Sequence, residues 1–175
     1  MEILKNSKKI YSGKIFNLFL DEVALEDGKT ATREYVVHSG AAAILPVDED
    51  NNCYLVRQFR YPHSEYFLEI PAGRMDDGET PEQCAARELE EETGFIAEYI
   101  TKMCITIPSV AYSTERIHIF LAKGLTKTAQ SLDDGEFITV VRIPLDAALE
   151  KVYNGEICDF KTQVALLYYQ LTVNK

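Results

Sequence analysis

The chain has 175 residues, of which 46% are hydrophobic, and it carries a formal net charge of −10 at pH 7. This length suits one domain with a sizeable core. The negative charge argues against nonspecific binding to nucleic acid or to anionic membranes, and it makes binding of a polyanionic substrate dependent on local arginines and on metal.

The chain has four cysteines and no Cys-x-x-Cys pair, a pattern that argues against both structural zinc and a disulfide framework. No apolar run approaches the roughly 18 residues needed to span a bilayer, and the first residues lack the apolar core of a signal peptide. We therefore expect a cytoplasmic protein that binds neither membrane nor nucleic acid.

The first predicted elements are two strands near the N-terminus. Residues 14–25 and 30–38 are rich in Ile, Phe, Val and Tyr, and the four residues between them, 26–29, have the composition of a hairpin turn. These segments predict an antiparallel two-stranded ribbon. We expect residues 1–38 to form this N-terminal element and residues 39–175 to form the main domain.

The main domain shows alternating strand and helix patterns. A short apolar run, alternating segments and later β-rich segments predict strands over residues 41–47, 53–59, 66–70, 99–106, 117–122 and 137–143. Helices are predicted over residues 145–153 and 160–173, the latter from apolar residues at helical spacing. This order predicts an α+β fold in which a mixed sheet lies between helices.

A further helix is predicted between residues 80 and 94, within an acidic segment. Thr80 is suited to cap it, Pro81 suits the first helical position, and Gln83 completes a Thr-x-x-Gln capping box. Gly94 supplies the expected stop. At roughly 100° per residue, the apolar positions of this helix form a stripe along one side.

Acidic residues flank that stripe. Glu88 and Glu92 fall beside it, one turn apart on nearly the same face, and Glu91 lies next to them. Like charges at this spacing cost an isolated helix about 0.2–0.5 kcal/mol per pair, and partial burial removes solvation as well. A hard divalent cation such as Mg²⁺, which prefers oxygen ligands, would relieve this repulsion.

Arg87 is placed to orient these acids. The simplest alternative is an acidic surface helix in which Arg87 pairs with Glu91 and the other carboxylates are solvated. The wider segment speaks against that alternative, because residues 73–95 satisfy a fixed pattern of nine positions. The pattern is Gly, five residues, Glu, seven residues and then Arg-Glu-aliphatic-x-Glu-Glu-x-Gly-apolar, matched by Gly73, Glu79, Arg87, Glu88, Leu89, Glu91, Glu92, Gly94 and Phe95.

This pattern resembles the Nudix box. The resemblance implies an enzyme that hydrolyses a nucleoside diphosphate linked to another moiety, using Mg²⁺ or Mn²⁺, within an α/β/α sandwich. The lead-in Phe-Leu-Glu-Ile-Pro-Ala-Gly at residues 67–73 resembles the ADP-ribose pyrophosphatase branch. That branch usually has Ser-Pro-Gly in a later loop, where this chain has Ser109 followed by Val110 and Ala111. Since Pro-Gly shapes a turn, this substitution predicts a different path for the loop.

The branch resemblance implies cleavage of ADP-ribose, or a related ADP-sugar, to AMP and a sugar phosphate. One alternative is a hydrolase for another nucleoside-diphosphate sugar, such as GDP-mannose. Another, from a different functional class, is a noncatalytic Nudix domain that senses such a ligand. The intact box favours catalysis.

The same resemblance implies roles for individual residues. Glu88, Glu92 and the backbone carbonyl of Ala72 are expected to bind the metal. Glu91 is expected to be either a further ligand or the base that activates water. Glu115 is the first candidate for positioning or deprotonating that water, on a loop able to close over substrate.

Substrate contacts are expected from three further residues. Arg33 and Arg60 are candidates for gripping phosphate or a terminal ribose, because arginine forks match phosphate oxygens in pairs. Phe16 is a candidate for stacking on the purine. Enzymes of this branch tend to be homodimers whose N-terminal strands help to build the partner's site, which implies that Phe16 and Arg33 act in trans.

Overall fold

The computed structural model describes residues 1–173, which divide into two compact units. The first unit contains Met1–Gly40 together with Ile107–Arg116, and the second contains Ala41–Thr106 and the described residues from Ile117 onward. The sequence predicted a boundary near residue 38, but it gave no sign that the loop at 107–116 belongs with the N-terminal residues.

The first unit contains an antiparallel sheet of three strands, β1 (Ile3–Ser12), β2 (Asn17–Ala24) and β3 (Thr30–Val37), in the order β1-β2-β3. The antiparallel N-terminal pairing is confirmed, but the prediction of only two strands was wrong. Every residue of β1 is exposed, so the strand is held by pairing with β2 rather than by burial. It therefore lacks the polar and apolar alternation that marks a half-buried strand.

The second unit contains seven strands and three helices. Their order along the chain matches the predicted order, with one short strand, β7, that the sequence did not indicate. The elements are β4 (Ala41–Pro46), β5 (Asn52–Arg60), β6 (Glu65–Glu69), β7 (Ala72–Arg74), α1 (Pro81–Thr93), β8 (Phe95–Thr106), β9 (Ile117–Lys127), β10 (Ile138–Pro144), α2 (Leu145–Tyr153) and α3 (Phe160–Val173).

The strands of the second unit form two sheets. One is a mixed sheet in the order β7-β4-β9-β8, in which β4 and β9 run parallel and the other neighbours are antiparallel. The other is an antiparallel sheet in the order β10-β5-β6. The predicted mixed sheet is confirmed, although the strands at 53–59, 66–70 and 137–143 form the separate antiparallel sheet.

Strand β4 explains the layered arrangement of this unit. Its side chains alternate between the two faces of the mixed sheet, as expected for a strand. Ala42 and Ile44 pack in the cluster that includes Leu89 of α1, whereas Ala43 and Leu45 pack in the larger cluster that includes α2, α3 and the second sheet. Strand β4 is thus buried on both faces, and helices cover both sides of the mixed sheet. The predicted α/β/α arrangement is confirmed.

No helix within residues 1–173 is both long and apolar enough to cross a membrane. The four cysteines, Cys53, Cys84, Cys104 and Cys158, are free thiols.

Candidate active site

Helix α1 begins and ends where its sequence predicts. The Thr80 hydroxyl accepts a hydrogen bond from the amide of Gln83 at 3.3 Å, and the Gln83 side chain accepts one from the amide of Thr80 at 2.9 Å. Gly94 ends the helix in the left-handed conformation at φ 65°, which favours glycine. Two well-defined ends fix which residues of the helix face the sheet.

The buried face of α1 carries two carboxylates beside its apolar residues. Ala85 and Leu89 are fully buried, while Glu88 and Glu92 are only 9% and 5% exposed. Glu90 is exposed on the opposite side. The predicted facing of this helix is confirmed, and the two carboxylates are far more buried than a solvated acidic helix would allow.

Strand β7 approaches these carboxylates through its backbone. The amide of Ala72 donates a hydrogen bond to Oε2 of Glu92 at 3.0 Å. A side chain at Gly73 would collide with the Glu88 carboxylate, which occupies the space beside this Cα. Glycine is therefore required at residue 73 for Glu88 to hold this position.

Arg87 connects three of the carboxylates. It donates from Nη1 to Glu88 at 2.6 Å and to Glu91 at 2.9 Å, and its Nε donates to Glu79 at 2.9 Å. Glu79 also accepts a hydrogen bond from the amide of Asp76 at 3.0 Å, so it holds the loop before α1. The bonds from Arg87 lower the pKa of Glu79 to about 2. Arg87 thus fixes the loop and the acidic face of the helix together.

The surroundings of Glu88 and Glu92 disfavour two negative charges. Burial, followed by the charge of Glu88, raises the pKa of Glu92 to about 8. Burial also raises the pKa of Glu88, although Arg87 partly opposes this effect. Glu136 contributes to raising both values through its charge. The positive charge of Arg87 therefore does not fully offset the burial of these two carboxylates, and a further cation beside them would stabilise their charged forms.

Glu136 is an exposed carboxylate that the sequence did not single out and whose charge acts on the site. It precedes β10 in the acidic run Asp133-Asp134-Gly135-Glu136, and its charge acts on both buried carboxylates of α1. An acidic run directly before a predicted strand was the available signal.

The donor set suits Mg²⁺, which prefers oxygen ligands and usually keeps several waters. Within residues 1–173, no three His, Cys, Asp or Glu side chains converge closely enough to hold a metal by themselves. Two buried carboxylates with raised pKa values, lying against the backbone of β7, fit a cation whose remaining ligands are a carbonyl, water or substrate phosphate.

A cavity of about 570 Å³ lies within the second unit, lined by Arg60, Pro62, His63, Phe67, Glu69, Cys158, Asp159, Phe160 and Lys161. Its volume is in the range of small-molecule sites. The Arg60 fork, predicted to grip phosphate, donates to both oxygens of Glu69 at 2.7 Å. Arg60 lines the cavity and could contact a ligand there, although its Nε and Nη2 already donate to Glu69. The sequence gave no sign that Lys161 would line this cavity.

Glu115 lies in the loop of the first unit that pairs with β3. The amide of Val36 donates to the carbonyl of Tyr112 at 2.8 Å, and the amide of Thr114 donates to the carbonyl of Val36 at 3.0 Å. Glu115 comes within 3.8 Å of Nδ1 of His38, but that nitrogen accepts a hydrogen bond from the amide of Gly40. It therefore cannot also donate to Glu115, and the contact is not a hydrogen-bonded ion pair.

Comparison with known proteins identifies the family of this site. The model of the NUDIX domain matches residues 37–159. The chain belongs to the Nudix family. Its relatives include the ADP-ribose pyrophosphatase of Bacillus subtilis (strain 168), at 41% identity over 166 residues, covering 94% of this chain and 90% of the relative. Another is the methanol dehydrogenase activator of Bacillus methanolicus, at 39% identity over 167 residues with the same coverages.

The Nudix fold is also supported by a solved structure, described as the crystal structure of an ADP compounds hydrolase. It matches this chain with a TM-score of 0.87 at 21% sequence identity, covering 99% of this chain and 94% of the other.

Two predicted substrate residues of this Nudix protein lie in the N-terminal sheet unit. Arg33, on β3, pairs with Glu2 and donates to the carbonyl of Thr32 at 2.8 Å. Phe16 is 40% exposed between β1 and β2, and its ring centroid lies 6.0 Å from that of Tyr11. Both side chains are at least partly accessible, and their proposed contacts with substrate stay predictions.

Proposed function

We propose that this Nudix protein is a Mg²⁺-dependent hydrolase that cleaves the pyrophosphate bond of ADP-ribose, or of a related ADP-sugar, to give AMP and a sugar phosphate. The observation that carries the proposal is the buried pair Glu88 and Glu92, held between Arg87 and the backbone of β7. The family assignment and the likeness to an ADP-ribose pyrophosphatase support the substrate class.

Glu88, Glu92, Glu91 and the carbonyl of Ala72 would hold Mg²⁺, with Mn²⁺ as a substitute. When bound, the metal neutralises charge on the nonbridging oxygens of the pyrophosphate and lowers the pKa of a coordinated water. Arg87 keeps Glu88 and Glu91 in fixed positions through hydrogen bonds of 2.6 and 2.9 Å. Its catalytic contribution is therefore to orient the acids.

Three carboxylates compete for the role of accepting the proton from water. Glu91 accepts a hydrogen bond from Nη1 of Arg87 at 2.9 Å, so one of its carboxylate oxygens is already occupied. Glu115 lies in the loop formed by residues 107–116. Glu136 is a candidate because its charge acts on both Glu88 and Glu92. We assign Glu115 as the first candidate and add Glu136 as the second.

Single Gln variants at these three positions distinguish the roles. Loss of the water base should depress kcat strongly with little change in KM, whereas loss of a metal ligand should also weaken metal binding. The decisive measurements are kcat and KM for ADP-ribose, together with the Mg²⁺ concentration for half-maximal rate. If Glu115→Gln retains wild-type kcat, Glu115 is not the base.

The cavity lined by Arg60 is the proposed site for the sugar-phosphate part of the substrate. Arg60 and Lys161 line it together with their ion-pair partner Glu69, and the charge of Lys161 also acts on Glu92, which connects the cavity with the metal-binding carboxylates. Arg60→Lys keeps the charge but removes the planar fork, so it should raise KM for ADP-ribose more than it lowers kcat.

We also propose that the protein acts as a homodimer through its N-terminal sheet. Strand β1 is exposed along its whole length, and its large apolar side chains include Ile3, Leu4 and Ile10. Exposed apolar surface of this kind marks an interaction site. In such a dimer, Phe16 and Arg33 would contact substrate bound to the partner.

Subunit complementation tests the dimer and the trans arrangement together. Phe16→Ala and Glu92→Gln inactivate different parts of the site, so mixed dimers contain one intact site when Phe16 acts in trans. Co-refolded variants should then recover about a quarter of wild-type activity, as random pairing within twofold dimers predicts. No recovery from a mixture shown to be dimeric by light scattering would contradict the trans arrangement.

Turnover across a substrate panel tests the central proposal. A coupled phosphatase assay with Mg²⁺ should compare ADP-ribose, ADP-glucose, GDP-mannose, NADH, diadenosine polyphosphates and 8-oxo-dGTP, with Glu92→Gln as the control. Preference for ADP-ribose that depends on Glu92 supports the proposal. Preference for GDP-mannose would favour the other nucleotide-sugar class, and binding of ADP-ribose without turnover of any compound would favour a sensor.

A further inference from the structure

The first turn of α3 is tied by hydrogen bonds to the segment that leads into β7. Thr162 is fully buried, and its hydroxyl oxygen accepts a hydrogen bond from the amide of Ile70 at 2.8 Å. The same hydroxyl donates to Oδ2 of Asp159 at 2.5 Å. Asp159 therefore orients the Thr162 hydroxyl, and this hydroxyl holds a backbone amide 92 residues away in sequence.

A second contact joins the same two parts of the chain. Lys161, whose side chain is 11% exposed, forms an ion pair with Glu69, the residue before Ile70. Lys161 also donates to Oδ1 of Asp159 at 3.1 Å. Two consecutive residues of the segment, 69 and 70, are thus each held by a side chain from the first turn of α3.

The segment is fixed again immediately downstream. The carbonyl of Pro71 accepts a hydrogen bond from the amide of Ile44 at 2.9 Å, and the amide of Ala72 donates to Glu92 at 3.0 Å. Pro71 adds a ring-restricted φ. Each residue from Glu69 to Ala72 therefore has a contact that restricts it, and the chain has little freedom in where it places the Ala72 carbonyl.

A helix cap by itself does not account for this arrangement. Asp159 already caps α3 by accepting a hydrogen bond from the amide of Thr162 at 3.0 Å. That bond needs no hydroxyl at residue 162. A buried hydroxyl that lacked partners would cost about 1–3 kcal/mol, and here both of its bonds serve the connection to Ile70.

We infer that Asp159 and Thr162 are positioning residues for the metal-binding backbone of β7, because their hydrogen bonds to Ile70 set where Ala72 presents its carbonyl and its amide. This inference rests on the proposed function in one respect, namely that Ala72 takes part in metal binding. It adds α3 to the elements that build the site. Thr162 is fully buried and is not part of the lining of the proposed substrate cavity, so it acts through Ile70; Asp159 orients the Thr162 hydroxyl and also lines that cavity.

Metal binding to the substrate-free protein provides the test. Thr162→Val keeps the volume of the side chain and removes both hydrogen bonds of the hydroxyl, whereas Thr162→Ser keeps the hydroxyl. Outer-shell partners of metal ligands typically contribute about 10–100-fold to affinity. Electron paramagnetic resonance titration with Mn²⁺ should therefore show affinity at least about 10-fold weaker in Thr162→Val and close to wild type in Thr162→Ser.

A second readout follows the amide of Ile70 directly. Its hydrogen exchange should accelerate in Thr162→Val, since its acceptor is gone, and remain slow in Thr162→Ser. Leu166→Ala is the matched control, because Leu166 is fully buried in the core from α3 and its truncation destabilises the helix. This control should lower the melting temperature without weakening Mn²⁺ binding.

The inference is overturned if Thr162→Val binds Mn²⁺ as tightly as wild type, or if Leu166→Ala weakens binding by the same factor. If Thr162→Val does not fold, Asp159→Asn replaces it and should weaken Mn²⁺ binding several-fold; wild-type affinity in that variant would overturn the inference.

Failure of the proposed function has a different signature. A wild-type protein that binds Mn²⁺ with the expected dependence on Thr162, yet hydrolyses no ADP-sugar, refutes the function and leaves this inference standing. Wild-type protein that binds no Mn²⁺ refutes both.

Discussion

Glu69 should give this protein a measurable loss of stability in acid. Its side chain is 4% exposed, and burial opposes its charge, but the hydrogen bonds from Arg60 and the charge of Lys161 outweigh that effect and lower its pKa from 4.5 to about 2. The unfolded chain therefore binds a proton at higher pH than the folded protein. The difference corresponds to about 3 kcal/mol, present above pH 4.5 and lost as pH falls through about 2.

The substitution Glu69→Gln removes this titrating carboxylate. Between pH 7 and pH 3.5, the wild type should lose about 1 kcal/mol more stability than the variant, because only part of the titration is complete at pH 3.5. The variant itself should be less stable at neutral pH by about 3–5 kcal/mol, since Arg60 and Lys161 lose a buried partner.

Urea denaturation followed by circular dichroism at several pH values measures both effects. Carboxylates that do not share Arg60 or Lys161 with Glu69 have the same surroundings in the two proteins, so the difference between their pH dependences reports on Glu69 and its ion-pair network. Glu49→Gln removes an exposed carboxylate and should retain the wild-type dependence. Parallel stability curves for the wild type and Glu69→Gln would refute the reasoning.

Three further substitutions test individual contacts. Gly73→Ala should displace Glu88 and weaken Mg²⁺ binding by about 10-fold in calorimetric titration, with a small change in melting temperature. Thr80→Ala should cost about 0.5–2 kcal/mol in urea unfolding, and Thr80→Ser should restore most of it. Gly94→Ala should lower the melting temperature more than Gly78→Ala; both glycines have positive φ, but only a side chain at Gly94 would meet backbone atoms.

The sequence was most informative where structure depends on neighbouring residues. The ends of α1 follow from Thr80, Pro81 and Gly94, and the burial of Glu88 and Glu92 follows from their spacing relative to Ala85 and Leu89. The residues that determine these features lie within one or two helical turns of each other, so the spacing of residues in the sequence predicts them directly.

Features that depend on distant parts of the chain were not accessible in this way. Strand β1 is exposed throughout, so no apolar alternation marks it. The influence of Glu136 on Glu92 joins residues 44 positions apart, and the bond from Ile70 to Thr162 joins residues 92 positions apart. Only the fold determines such pairs, because the sequence contains no local trace of them.

The grouping of residues 107–116 with the N-terminal sheet has a consequence for any attempt to transplant parts of this protein. The chain leaves the second unit after Thr106 and returns to it at Ile117, and the intervening loop pairs with β3 through Val36 and Thr114. A single cut after Gly40 would therefore remove the hydrogen-bonding partner of a loop that remains attached. A chimaera that exchanges the N-terminal sheet with that of a relative therefore needs to exchange this loop together with the sheet.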